Sequence, residues 1–362
     1  MEAYGILPEA EEGRCWFMKI PKRILVFQTA FLGDVILTLP MIQLLHKKFP
    51  LATIDIVTTP IAAELLSNHP AIATIIRYDK RKSQKGIAGI LSLSQQLRFQ
   101  KYDLAVVPHR SFRTSVVIGL SGIKEKIGFS SATGAMFYNH VVQYEKLKHE
   151  IDRNLSLIAS LDIAVHQKEF PSLYPSEADG AVIDKFLFDR EILDQKLMVA
   201  IAPGSIWRTK RWLIERFSEL SQILGNAGFQ ILIIGGKEDT ELGKAIIESA
   251  KHKHIHDATG KLSLLQSAEL IRRCKTLVTN DSAPLHIGVA MRTPVVAIFG
   301  ATVPEFGFAP YGKNDIVVET KNLSCRPCAI HGGNECPIGT FVCMKNIEAS
   351  VVAEKVKSLI KM

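Results

Sequence analysis

Short apolar runs alternate with helix-like stretches along the first half of the chain. The runs at residues 24–27, 53–58, 73–76 and 102–108 are each bounded by turn-forming or charged residues. Such runs are typical of strands that are buried on both faces. Because helical patterns separate them through short connections, they predict a doubly wound parallel sheet.

The pattern is interrupted once and then resumes. Two prolines within residues 170–175 mark the best position for a linker, and a second α/β series begins at residue 197. The sequence therefore predicts two domains with flanking segments: a disordered or non-native lead-in over 1–20, an N-terminal domain over 21–175, a C-terminal domain over 176–345 and a closing helix over 346–362.

Composition agrees with this picture. The chain has 362 residues, of which 47% are hydrophobic and 22% charged, as in ordinary globular proteins. No apolar run approaches the ~20 residues of a membrane span, and the first residues do not resemble a secretory signal. We therefore expect a cytoplasmic protein.

The formal charge of +8 favours an anionic partner. Nucleic acid is not expected, because the basic residues are scattered and no helix-turn-helix, RNA-recognition or finger pattern occurs. A phosphorylated or membrane-surface substrate fits the charge better.

The candidate functional residues follow the ends of predicted strands, which is where open α/β sheets bind ligands. Asp34 follows the first strand after Gly33, and it is either a cap of the next helix or a ligand-site carboxylate. Asp281 repeats this arrangement far downstream. Ser205 and Lys210 follow another strand and suggest phosphate binding, although the P-loop spacing is absent.

Other polar groups have two interpretations each. His109, Arg110 and Arg113 follow a strand and could meet phosphates, or form an ordinary exposed loop. The basic loop over 79–86 is expected to be solvated. His286 is more typical of a buried core histidine than of a functional one.

Four cysteines are clustered in a loop rich in glycine and proline: Cys325, Cys328, Cys336 and Cys343. In a cytosolic chain this cysteine cluster suggests zinc or an iron–sulfur centre more than disulfides. Redox-linked thiols or plain reduced cysteines are the alternatives.

Three spaced motifs carry a family resemblance. They are the Gly33-Asp34 loop with Leu-Thr-Leu-Pro after it, Ala-Pro-Gly-Ser with Thr-Lys-Arg-Trp over 202–212, and Thr-Asn-Asp-Ser with His286 over 279–286. Together they resemble glycosyltransferase family 9, the lipopolysaccharide heptosyltransferases, and most of all the heptosyltransferase II members. The resemblance implies the GT-B architecture, in which two Rossmann-like domains face a cleft.

The resemblance also implies roles for single residues. Asp34 corresponds to the catalytic base, and Gly33 lies in the acceptor loop. The acceptor phosphates and carboxylates are expected to meet His109, Arg110, Arg113 and the basic residues at 80–85. The donor is expected to meet Ser205, Lys210, Glu238, Asp281, Ser282, Ala283 and His286.

The implied reaction is inverting transfer of heptose from ADP-heptose to the inner core of a lipid A precursor at the cytoplasmic membrane face. The family generally needs no metal for transfer, so a metal at the cysteine cluster would be structural. Rival interpretations are a different nucleotide-sugar donor, a GT-B epimerase and a non-catalytic sugar-nucleotide sensor. No second carboxylate near Asp34 stands out in the sequence, which counts against the epimerase.

Overall fold

The structure is a computed structural model that describes residues 20–163, 165, 168–192 and 197–360. Residues 1–19 of the expected lead-in, residues 361–362 of the closing segment and Cys15 lie outside the described residues. Among the described helices, none has both the length and the apolar character needed to cross a bilayer.

The N-terminal half contains six strands and five helices within the described ranges. The strands are β1 (Arg23–Phe27), β2 (Thr53–Thr58), β3 (Thr74–Arg77), β4 (Leu104–Val107), β5 (Glu125–Phe129) and β6 (His140–Val142). The helices are α1 (Leu32–Lys48), α2 (Pro60–Leu65), α3 (Gly86–Gln100), α4 (Phe112–Leu120) and α5 (Glu150–Ser156).

The C-terminal half repeats this arrangement. Its strands are β7 (Met198–Ala202), β8 (Gln230–Ile233), β9 (Ile255–Asp257), β10 (Thr276–Asn280), β11 (Val295–Phe299) and β12 (Ile316–Glu319). Its helices are α6 (Glu177–Phe188), α7 (Ile214–Asn226), α8 (Thr240–Ala250), α9 (Leu264–Arg273), α10 (Ala283–Ala290), α11 (Val342–Lys345) and α12 (Ala349–Ile360).

The two sheets have the same topology. The first has the order β3-β2-β1-β4-β5-β6 and the second β12-β11-β10-β7-β8-β9, and every pairing is parallel. In each sheet the first strand of the half pairs with its second and fourth strands. The strand order therefore reverses beside β1 in one half and beside β7 in the other, and these are the points where such sheets bind ligands.

Helices α1 and α10 join the two halves. Leu37 and Met41 of α1 belong to the same hydrophobic cluster as Leu285 and Val289 of α10, and all four side chains are buried. Because burial of apolar surface is favourable and close packing limits movement, this contact holds the loops that precede the two helices near each other.

Several boundaries differ from those expected. The Asp-Ala-Thr-Gly stretch over 257–260 is typical of a helix start, but in the structure it ends β9 and forms a turn. Helix α9 begins after Ser263, whose hydroxyl accepts the Gln266 N–H at 3.2 Å. Strands β5, β6 and β12 are short or begin with charged residues, so their patterns gave no strand signal.

Candidate active site

Four loops converge on the cleft, two from each half. They follow β1, β4, β7 and β10, the strands on either side of the two topological switch points. Two contacts across the cleft show that the loops face each other. A Cβ added to Gly33 would lie 2.7 Å from the His286 ring, and the rings of Phe31 and His331 meet edge to face with centroids 5.8 Å apart.

Asp34 lies in the first turn of α1 and is partly buried. Its Oδ2 accepts a hydrogen bond from the Phe31 N–H at 3.2 Å, so the capping role is real. Burial raises the pKa of this carboxyl to about 7, and the charge of Glu150 adds to the rise, against the Phe31 N–H and Arg110. A carboxyl that titrates near neutral pH is suited to general-base chemistry.

Glu150 is a carboxylate that the sequence analysis missed. It is buried at the start of α5, and its Oε2 accepts hydrogen bonds from Arg153 at 2.8 Å and from the Tyr144 hydroxyl at 3.1 Å. Glu150 lies near enough to Asp34 for its charge to raise the pKa of Asp34, although no second carboxylate near Asp34 stands out in the sequence. Arg153 and Glu150 form a buried ion pair, and the Tyr144 hydroxyl adds a hydrogen bond to it.

The Nδ1 atom of His109 is held by hydrogen bonds within the protein. Its Nδ1 lies 2.7 Å from the Thr114 hydroxyl and 3.2 Å from that of Thr29, in the loop after β1. Burial lowers the pKa of His109 to about 3, with help from the charges of Lys80 and Arg110. A neutral imidazole in this setting offers a phosphate no positive charge.

The basic side chains predicted to meet the acceptor include Arg110, Arg113 and Lys80. Arg110 lies over the ring of Tyr144, with its guanidinium carbon 4.0 Å from the ring centroid, and Arg113 donates to the Tyr78 hydroxyl at 3.4 Å. Lys80 belongs to the basic loop that was expected to be solvated, but its Nζ donates to the Thr29 carbonyl at 2.8 Å. The other basic residues of that loop are exposed: Arg81, Lys82 and Lys85.

On the opposite side, Lys210 and Asp281 form a buried ion pair. Lys210 Nζ lies 2.6 Å from Asp281 Oδ2, and the Thr302 hydroxyl donates to the same oxygen at 2.6 Å. Asp281 directly follows β10, just before the N-terminus of α10. The pair therefore holds an ammonium group beside the free N–H groups of that helix, a combination that favours anions.

Asn280 fixes the loop that contains Ser205 and Lys210, and sequence reasoning did not single it out. Its Nδ2 donates to the Pro203 carbonyl at 2.8 Å, and its Oδ1 accepts the Trp212 N–H at 2.9 Å. Ser282 adds a hydrogen bond from its hydroxyl to the Gly204 carbonyl at 3.2 Å. The Thr-Asn-Asp-Ser motif thus holds the loop after β7 in place through hydrogen bonds.

The two acids after β8 have opposite environments. Glu238 is exposed, whereas Asp239 is buried and accepts the Gly236 N–H at 3.0 Å. A Cβ on Gly204 or on Gly235 would lie within 2.7 Å of the Asp239 side chain. Packing against Asp239 therefore accounts for Gly235, and Glu238 is the exposed acid of the two.

Ala283 and His286 belong to α10. Ala283 is its first residue, so its N–H is one of the unpaired donors of the helix start. His286 is buried one turn further on. Burial lowers the pKa of His286 to about 3, and His149 and Lys210 contribute. His286 is therefore a neutral ring packed on Gly33, as expected for a core histidine, and its position is at the contact between the halves.

The cysteine cluster lines one cavity of about 20 Å³ beside α11. Burial raises the pKa of Cys343, and the three other thiols of the cluster add to the rise, which shows how near they lie. Over the described part of the chain, no group of three or more histidine, cysteine or acidic side chains is placed so that it could hold a metal ion.

Comparisons with known proteins identify the family of this chain. Residues 90–336, more than half of the chain, match glycosyltransferase family 9 (heptosyltransferase). The chain is 27% identical over 300 residues to lipopolysaccharide heptosyltransferase 2 of Escherichia coli strain K12, an alignment that covers 78% of this chain and 84% of that protein.

Two solved structures share the fold. A glycosyltransferase family 9 protein from Veillonella parvula DSM 2008 is 25% identical with a TM-score of 0.85, covering 94% of this chain and 97% of that one. ADP-heptose LPS heptosyltransferase II of E. coli is 23% identical with a TM-score of 0.75, covering 94% and 98%. The predicted GT-B architecture is confirmed, and the chain is a glycosyltransferase that belongs to family 9.

Proposed function

We propose that this protein transfers heptose from ADP-heptose to the inner core of lipopolysaccharide, with Asp34 as the general base. One observation carries the proposal: Asp34, with its pKa raised to about 7, follows Gly33, and Gly33 packs on the ring of His286 in α10, the helix that begins just after the Lys210–Asp281 pair. The donor assignment is supported by the names of the relatives, one of which is an ADP-heptose enzyme.

In the proposed step, the Asp34 carboxylate takes the proton of an acceptor hydroxyl as its oxygen attacks the anomeric carbon. The bond from that carbon to the β-phosphate oxygen breaks, and ADP leaves with the electron pair. This direct displacement inverts the anomeric centre. Partial burial of Asp34 keeps its carboxylate basic enough to act near neutral pH.

The leaving diphosphate is met by Lys210, by Ser205 and by the free N–H groups at the start of α10. Groups that are fixed before the reaction stabilise developing charge without reorganising. We propose that they make a metal or other cofactor unnecessary for transfer. A metal at the cysteine cluster would then act on structure only.

The basic residues of the N-terminal half support the proposed anionic acceptor. Arg110, Arg113 and Lys80 lie around the loop after β1, and further basic side chains of residues 81–85 are exposed beside it. Guanidinium groups bind phosphates and carboxylates well. An anionic lipid-linked acceptor fits this surface, and we propose peripheral attachment to the cytoplasmic face of the inner membrane.

The domain roles follow from the same placement. We propose that residues 21–175 bind the acceptor and residues 176–345 bind the nucleotide sugar. The donor set is Ser205, Lys210, Glu238, Asp281, Ser282, Ala283 and His286, with His286 acting by packing. Gly33 serves the acceptor loop by admitting the His286 ring.

The test is ADP release from purified protein given ADP-heptose and a delipidated core acceptor. Release that requires the acceptor is the expected result. Release or conversion of the sugar without acceptor would favour an epimerase or hydrolase, and binding without turnover would favour a sensor. A panel of other nucleotide sugars, run with the same acceptor, identifies the donor.

A further inference from the structure

His331 reaches from the C-terminal half of the chain to the N-terminal half. Its ring meets the ring of Phe31, in the loop just before α1, edge to face with centroids 5.8 Å apart. Both residues remain exposed. Among the described residues, none forms a hydrogen bond with the ring nitrogens of His331. The ring is therefore held by packing, and its two nitrogens remain available to a ligand.

The backbone beside His331 is attached to the loop that contains Lys210. The Thr209 N–H donates to the Gly333 carbonyl at 2.9 Å, and the Gly333 N–H donates to the Thr209 hydroxyl at 2.8 Å. Gly332 has a φ of +79°, a conformation that favours glycine, and a Cβ added there would lie 3.0 Å from the Lys210 Cγ. The fold therefore fixes the position of His331 relative to Lys210.

Three charged groups act on the His331 ring. Lys210 and Asp281 form the buried ion pair of the C-terminal half, and Arg110 follows β4 in the N-terminal half. Loss of part of its hydration lowers the pKa of His331, the charges of Lys210 and Arg110 lower it further, and Asp281 opposes them. On the α1 side the ring meets Phe31, which carries no charge. Without a further anion nearby, His331 is therefore mainly neutral at pH 7.

We propose that His331 is a further substrate-binding residue, which binds the diphosphate of the sugar donor together with Lys210. The inference rests on the proposed function, which takes the Lys210 side of the cleft as the diphosphate site. A diphosphate there brings negative charge to the two cations that keep His331 neutral. The imidazole then gains a proton from solvent and donates a charge-assisted hydrogen bond to a phosphate oxygen.

This contact becomes stronger as the reaction proceeds. Negative charge grows on the leaving phosphate oxygen while its bond to the anomeric carbon breaks. An imidazolium N–H held in place by the Thr209–Gly333 hydrogen bonds stabilises that charge without reorganisation, and the proton stays on the nitrogen. His331 therefore adds a hydrogen-bond donor to those already assigned to the leaving diphosphate.

The alternative is a structural role, in which His331 only packs on Phe31 and joins the two halves. Two variants separate the roles. His331→Phe keeps an aromatic ring beside Phe31 but has no nitrogen, whereas Phe31→Leu removes the ring contact and keeps the imidazole. The Phe31 N–H that caps Asp34 belongs to the backbone and is present in both variants.

Binding of inorganic pyrophosphate to the full-length protein, measured by calorimetry, tests the contact without assuming a nucleoside. We expect His331→Phe to raise the Kd about tenfold and Phe31→Leu to raise it less than about threefold. The control His46→Gln, in the last turn of α1, should bind as the wild type does. An unchanged Kd in His331→Phe, an equal rise in both variants, or no binding to the wild type would overturn the inference.

A second measurement uses only the wild type and so covers the case in which a variant fails to fold. The ring protons of histidine and phenylalanine are followed by NMR, and His331 is identified by its contact with the Phe31 ring. We expect the pKa of His331 to rise when pyrophosphate is added, because the added negative charge favours the imidazolium form. A pKa that stays constant or falls would overturn the inference.

ADP-heptose turnover tests the proposed function separately. Pyrophosphate binding that depends on His331, without any binding of ADP, would support the inference and reject ADP-heptose as the donor. Acceptor-dependent ADP release that is as fast in His331→Phe as in the wild type would support the proposed function and overturn the inference. If both hold, His331→Phe lowers kcat/KM by about tenfold or more.

Discussion

Replacing Asp34 by asparagine separates the two roles that this side chain combines. The amide oxygen of asparagine can still accept the Phe31 N–H, so the cap at the start of α1 is kept. The amide cannot take a proton from an acceptor hydroxyl. Loss of activity in this variant therefore reports on the base and not on the helix.

The magnitude follows from general-base catalysis. Removal of a positioned base costs roughly 10²–10⁴ in turnover, which corresponds to about 3–5 kcal/mol in the activation free energy. Donor binding should change little, because Lys210 and the start of α10 are untouched. In the wild type, kcat/KM should rise with pH through the pKa of Asp34 near 7, since only the carboxylate is active.

The free energy of unfolding of the wild type should fall as pH rises, whereas kcat/KM should rise. Because the pKa of Asp34 is raised from 3.8 to about 7, the folded protein holds this proton more tightly than the unfolded chain does. The wild type therefore loses stability as pH rises through that window, by at most about 4 kcal/mol at 1.36 kcal/mol per pKa unit. Asp34→Asn should match the wild type near pH 4 and be more stable above pH 7.

The assay combines acceptor-dependent ADP release with urea unfolding at several pH values. Asp34→Ala is the companion variant, because it removes the cap as well and should lose that extra stability. Turnover of Asp34→Asn within about threefold of the wild type would refute the base assignment. A flat wild-type pH profile between about pH 5 and 9 would refute it too.

Three further changes test neighbouring parts of the site. Glu150→Gln removes a negative charge and should shift the kcat/KM midpoint set by Asp34 to lower pH, while breaking a buried ion pair should cost about 3–5 kcal/mol in urea unfolding. Lys210→Met should weaken ADP binding by at least about tenfold in calorimetry, and an unchanged Kd would contradict its role at the diphosphate. Gly33→Ala places a methyl group 2.7 Å from the His286 ring and should cost about 1–3 kcal/mol in thermal unfolding; full stability would show that the halves can separate freely there.

The strand and helix order could be predicted largely from the sequence. Strands buried on both faces show as continuous apolar runs, as in β1, β4 and β11, because no polar side chain is tolerated there. Edge strands such as β6 and β12 were missed for the converse reason. They are half-exposed and short, so their composition resembles that of loops.

The side chains of the candidate site could also be predicted from the sequence, but not all of the residues that they contact. Asp34, Lys210 and Asp281 follow strand ends, and local sequence shows this. That Glu150 raises the pKa of Asp34, or that Asn280 clamps the donor loop, depends on side chains brought together from distant segments. No local pattern contains such pairs.

The sequence by itself determined two α/β halves, a ligand loop after each first strand and a cluster of four cysteines. Only the tertiary structure decided which loops face each other, because the apolar contact of α1 with α10 sets the relation of the halves. His286 is buried at this contact and Asp34 partly so, and the loss of contact with water moves their pKa values in opposite directions.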